Sequence, residues 1–171
     1  GRNLWLALTV AFLASGLGIT PAAAQDQMAV GDRITIMVPP LAPAAGANDN
    51  FGEDVAEDLR DMINELHTHD AVSGRDINRA RRDFDLDWED LHNCVRARQL
   101  AMQKNWGLVL CGSYEETGDR QVHVEAQFVG ARDGQAFEVP PFTISEREHE
   151  QAADRILQTF DRYQTVLRNT V

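Results

Sequence analysis

The sequence predicts an α/β fold: a mixed β-sheet with packed helices, preceded by one N-terminal hydrophobic (transmembrane) helix. Three observations predict it. Apolar or alternating runs of strand length occur at 33–39, 106–114, 121–129 and 135–144. Between and after them, apolar residues recur every three to four positions, the period of a helix with one buried face. Finally, residues 4–25, LWLALTVAFLASGLGITPAAAQ, carry no charge. The predicted element order is β-α-β-α-β-β-β-α.

The head of the chain bears Arg2 as its one charge before Asp26. Pro21-Ala22-Ala23-Ala24 ahead of Gln25 has the small side chains of an export cleavage site. The uncharged run Leu4–Thr20 is also at the short end of what spans a bilayer, at about 1.5 Å per residue. A positive flank stays cytoplasmic. The expectation taken forward has residues 1–24 as an uncleaved signal-anchor, 25–32 as a tether and 33–171 as a periplasmic domain. That is a single-pass protein of a bacterial inner membrane, with residues 4–20 in the lipid bilayer. Ala11, Ala14, Ser15 and Gly16 are small enough to pack the anchor closely against partner helices. The alternative is a cleaved signal and a soluble domain. No cysteine follows the apolar run, so nothing points to a lipid-modified N-terminus.

The first strand is RITIMVP, Arg33–Pro39, rich in β-branched residues. Pro39, Pro40 and Pro43 are expected to end it, and Pro40–Asn50 to form a loop available for contacts. A helix over Phe51–His67 follows, with Val55, Leu59, Met62 and Leu66 on one face and acids in its first turns, where the helix dipole favours them. A short strand at AVS and a helical turn in DINRARRDF come next. The second long helix is predicted from Asp87, a capping residue, to Lys104. Its inner face would be Leu91, Cys94, Val95, Ala101 and Met102, with Arg98 interrupting the stripe. The continuous run WGLVLCGSY belongs at the centre of a sheet. ETGDR turns the chain into QVHVEAQFV, whose Val122, Val124, Ala126 and Phe128 alternate with polar residues. ARDG turns again into QAFEVPPFTI, where Pro140 and Pro141 suit an edge. The last helix, Glu146–Arg168, aligns Ile156, Phe160, Tyr163 and Leu167.

The formal net charge is −11. Phosphate-rich partners repel such a surface, which argues against nucleic acid and anionic headgroups. Cys94 and Cys111 are the only cysteines. In an antiparallel helix–strand unit their spacing places the two sulfurs at similar heights, so a disulfide would staple the second helix to the central strand; two buried thiols are the alternative. ELHTHD offers Glu65, His67, His69 and Asp70, but zinc sites on helices use ligands three or four apart, and these histidines are two apart. EREHE, Glu146–Glu150, sits at a helix start, where acids are expected. The sequence contains no nucleophile elbow, phosphate loop or His-Glu-x-x-His pattern. GRDINRARRD concentrates Arg75, Arg79, Arg81 and Arg82, either to pair with neighbouring acids or to meet an acidic partner. Trp88 and Trp106 bracket the second helix, as core residues or interface anchors.

The words ITIMVPPL, NFGEDVAEDLRDMINEL, AVSGRDI and LVLCGSYEETGDRQVHVEAQFVGARDGQAF, in that order, resemble the amino-terminal domain of TolB and its relatives, including curli-secretion and flagellar envelope factors. The resemblance covers about Arg33–Phe137 and implies an α/β fold used in envelope protein interactions. It implies no catalytic residues. The sequence thus leads to the expectation of a non-catalytic, membrane-anchored periplasmic accessory or scaffolding subunit. Its partners would be integral membrane proteins of a larger complex, a respiratory or photosynthetic one being compatible. No cofactor is expected. A soluble TolB-like binding protein is the alternative, and a metal enzyme using His67 and His69 the weakest reading.

Overall fold

The structure, a computed structural model, describes residues 33–168, with side chains to residue 162. Residues 33–171 form one compact unit. The expected anchor, its packing residues Ala11, Ala14, Ser15 and Gly16, and the tether lie outside the described residues, as do the side chains of Tyr163 and Leu167. No helix among the described residues is long and apolar enough to cross a membrane.

The α/β class with a mixed sheet is as expected, but the order of elements is richer. It runs β1 (Ile34–Met37), β2 (Ala42–Pro43), α1 (Asp49–Glu65), β3 (His69–Ala71), α2 (Gly74–Asp83), α3 (Trp88–Leu91), α4 (Cys94–Gln103), β4 (Leu108–Gly118), β5 (Gln121–Gly130), β6 (Ala136–Ser145) and α5 (His149–Arg168). The sheet order is β3-β1-β4-β5-β6, with β2 also paired to β4. β1 runs parallel to β3 and β4, whereas β4, β5 and β6 form an antiparallel meander. The apolar run around Leu108 is therefore central, and the Pro140-Pro141 strand lies at an edge, as its chemistry requires.

Four local expectations are corrected. Pro43 does not lie in a featureless loop: Ala42 and Pro43 pair with Ser113 and Tyr114, and Ala44 N–H donates to the Tyr114 carbonyl at 2.8 Å. Asn48 starts α1 two residues early because its side chain accepts from Asn50 N–H, and the helix stops at Glu65, short of His67. The short strand falls at His69–Ala71 rather than AVS, and the expected helical turn is a full helix, α2. The second long helix is two helices. Asn93 accepts from the N–H groups of Val95 and Arg96 and so caps a new helix in mid-run. That break resets the inward face to Ala97, Leu100 and Ala101, and turns Val95 and Met102 outward.

Two cores result. α1 and α5 cover one face of the sheet, burying Val55, Leu59, Ile63, Ile156 and Phe160 against Leu110, Tyr114, Val124 and Phe128. α2, α3 and α4 cover part of the other face, burying Ile77, Ala80, Leu91, Ala97 and Leu100 on Met37 and Val109. Gly52 permits the closest approach on the first face. A Cβ there would lie 2.4 Å from the Leu41 carbonyl oxygen and 2.8 Å from the Tyr114 ring.

Candidate functional site

The helical layer α2–α4 owes its position to cross-links that its own sequence supplies. Ser73 caps α2, accepting from Asp76 N–H at 3.1 Å. Ile77 and Ala80 face the sheet. Arg81, half-buried, donates to the Leu86 carbonyl at 3.0 Å and lies 4.8 Å over the Trp88 ring, closing the link between α2 and α3. The Cys94–Cys111 disulfide, with Cα atoms 5.5 Å apart, fastens the start of α4 to β4. Arg98, the interruption in the expected stripe, is half-buried, and the partner it finds is a backbone carbonyl. It donates to the Ala131 carbonyl at 3.4 Å, against Gly134, where a Cβ would come within 2.9 Å of its guanidinium.

The six arginine and tryptophan candidates therefore divide. Arg81, Trp88 and Trp106 are half-buried, and both tryptophans pack on the second core. Arg75, Arg79 and Arg82 are exposed, and their i, i+4, i+7 spacing places them on one face of α2. Arg79 pairs with Asp76 only at 3.9 Å, with both side chains more than half exposed, a contact that holds little energy in water. On the same helical layer, three apolar side chains stand in solvent: Phe84 (45% exposed), Val95 (59%) and Met102 (47%). A cleft of about 570 Å³ opens beside Phe84, lined also by Leu86, Arg96, Gln99, Leu100 and Gln103. Arg96 is held by Asp90 at its rim. Cationic, apolar and amide groups on one rigid layer are chemistry for docking a protein surface.

A second opening, about 500 Å³, lies on the same face of the sheet beside the disulfide. Its lining includes His92, Cys111, Ser113, Glu125, Gln127 and Glu138. Ser113, Glu125, Gln127 and Glu138 are alternates of the meander on this face, legible as polar positions but not as a concavity, because no helix was expected to stop short of them.

The histidine motifs do not converge. His67 is exposed, whereas His69 is 5% exposed, packed 4.8 Å from the Phe160 ring, with Nδ1 at 2.7 Å from the Thr68 hydroxyl. Burial, then the charge of Arg33, pulls the His69 pKa below the usual imidazole range. Asp70 pairs with Arg33 at 2.8 Å, and Glu65 ends α1. In EREHE, His149 meets Asp58 of α1 at 2.5 Å; that hydrogen bond raises its pKa. Among the described residues, no three metal-ligating side chains form a cluster.

No protein-family profile matches the chain, and no curated protein sequence does. Solved structures share its fold. Lipoprotein GNA1162 from Neisseria meningitidis is 18% identical, with a TM-score of 0.55 over 65% of this chain and 79% of its own. The LpoB C-terminal domain from Escherichia coli is 17% identical, with a TM-score of 0.54 over 66% of this chain and 82% of its own. TolB from Acinetobacter baumannii lies further off, 14% identical with a TM-score of 0.48 over 76% of this chain and 29% of its own. The chain thus shares its α/β fold with the LpoB C-terminal domain and GNA1162, neither of which the sequence reading named, while TolB, which it did name, is a weaker structural neighbour.

Proposed function

We propose that the chain is a non-catalytic accessory or scaffolding protein of the bacterial cell envelope, whose folded domain docks on a protein surface through the α2–α4 layer. The observation that carries this reading is the exposure of Phe84, Val95 and Met102 together with the Arg75–Arg79–Arg82 stripe, on a layer stapled to the sheet. The disulfide suits an oxidising compartment such as the periplasm. The fold shared with a lipoprotein, GNA1162, is consistent with the envelope. In this reading residues 4–20 seat the chain in the inner membrane beside integral membrane proteins, packed through Ala11, Ala14, Ser15 and Gly16. The small-residue segment Pro21–Ala24 favours one rival, a soluble domain released by cleavage.

The test extracts the chain from its native membrane in mild detergent and compares the wild type with a V95E/M102E variant. The expected wild-type particle contains more than one polypeptide, including integral membrane proteins, and an intact mass that retains residues before Gln25. The variant should lose partners while unfolding at the same temperature, because both side chains already face solvent. A wild-type chain extracted alone overturns the docking reading; a mass beginning at Gln25 overturns the anchor and leaves the docking reading standing.

A further inference from the structure

The two faces of the sheet are unequally covered. The α2–α4 layer packs on β1 and the start of β4, and among the described residues no helix covers the rest of that face. Beyond Cys111, which the disulfide ties under α4, strand pairing sets out three rows of side chains: Gln127 and Glu138; Ser113 and Glu125; Glu115, His123 and Thr143. β4, β5 and β6 contain no lysine or arginine, so carboxylates face no fixed cation in these rows, and His123 lies 3.6 Å from Glu125. Beside them, on the same side of the sheet, stands a helical layer whose outer surface carries Arg75, Arg79 and Arg82.

A raised layer whose α2 face carries three exposed arginines, next to a shelf with acidic groups, is complementary to its own image under a two-fold rotation, the exposed acids Asp85, Asp87 and Glu89 lying on the layer outside α2. We propose that a second copy of this chain covers the bare half-sheet. Two copies meet face to face, and the α2–α4 layer of each occupies the space over the meander of the other. Arg75, Arg79 and Arg82 of one copy then lie over Glu115, Glu125 and Glu138 of the second copy. Phe84, Val95 and Met102 leave water in the same step. The contact is isologous and closed, because each copy offers both the layer and the shelf. The net charge of −11 does not forbid it: at physiological ionic strength screening acts over about 8 Å, so the contact is governed by the groups that meet. The inference rests on the docking reading of α2–α4 and names its partner.

The test is the association state of the purified full chain in mild detergent, by sedimentation velocity across a concentration series. The expected wild type is a two-chain particle. R79E and E125R, both at exposed positions, should each weaken association by at least about tenfold, since each sets like charges against each other twice. A two-fold contact has a further signature. In a mixture of R79E with E125R, one contact is the wild-type pair and the other is the reversed pair, so mixing the two variants should restore the dimer. Variants that merely misfold would not recover on mixing. A one-chain wild type overturns the proposal. So does a dimer that neither variant weakens, or a mixture that stays monomeric. A one-chain purified protein whose native complex still shrinks with V95E/M102E overturns the second copy as partner and leaves the docking reading intact.

Discussion

The two sides of the sheet are built on different physics. On the α1–α5 side, large side chains interlock: the Phe128 and Phe160 rings lie 4.4 Å apart, and the Phe51 and Tyr114 rings 5.0 Å apart. On the α2–α4 side the helices fully bury no aromatic ring: three alanines, Ala80, Ala97 and Ala101, alternate with Ile77, Leu91 and Leu100. Cross-links make up the difference there: a disulfide, Arg81 on Leu86 and Trp88, and Arg98 on Ala131. Charge follows the same division. α1 carries seven acidic residues and one arginine, whereas α2 carries four arginines and two aspartates. One face holds the molecule together, and the other is a thin, rigid layer whose outer surface is free to recognise.

That contrast can be broken most severely from the packed side. Phe128→Ala removes a ring buried between the sheet and α5 and should cost about 3–5 kcal/mol, read by urea denaturation. An effect under about 1 kcal/mol would mean that the first face does not dominate stability.

Breaking the cross-linked side is expected to do less to the whole and more to the layer. Cys94→Ala with Cys111→Ala opens a loop with a sequence separation of 17 and should cost about 3 kcal/mol. Hydrogen exchange should rise first in α3 and α4, while α1 and α5 stay protected. Uniform loss of protection would show the two faces to be one cooperative unit.

The smallest effect joins α1 to α5. The folded pKa of His149 is raised by its hydrogen bond to Asp58, above the unfolded value of 6.5. The pair's contribution is therefore complete below pH 6.5 and is lost as pH rises through the folded pKa. At 40% side-chain exposure, solvent screening holds it to about 1 kcal/mol or less. The melting-temperature gap between wild type and His149→Ala should be widest below pH 6.5 and close as pH rises through the raised folded pKa. A gap independent of pH would assign the loss to packing.

How far the sequence could be read follows the same contrast. The meander was legible because alternation along a strand is a local property, and Val122, Val124 and Phe128 are buried as their period requires. α1 was legible from its apolar face, to within two residues at each end. The α2–α4 layer was read least well. A period assumed continuous through Asn93 placed Val95 and Met102 inside, and one polar side chain that caps a helix in mid-run reversed both. Trp88 and Trp106 could be named as core or interface from their chemistry, and only the packing around them shows each half-buried against the second core. The bare half-sheet left no local signal, because a vacancy depends on where another element stops.

By itself the sequence determined the class of fold, the central and edge strands, the polar face of the meander and the two cysteines available for pairing. These rest on side-chain periodicity and backbone chemistry within a few residues, which hold wherever the segment is placed. Tertiary structure alone decided that Arg98 grips a carbonyl, that Arg81 is spent inside the layer while Arg75, Arg79 and Arg82 face out, and that acidic and basic surfaces share one side of the sheet. Those outcomes depend on which distant segments meet, and local pattern does not encode that.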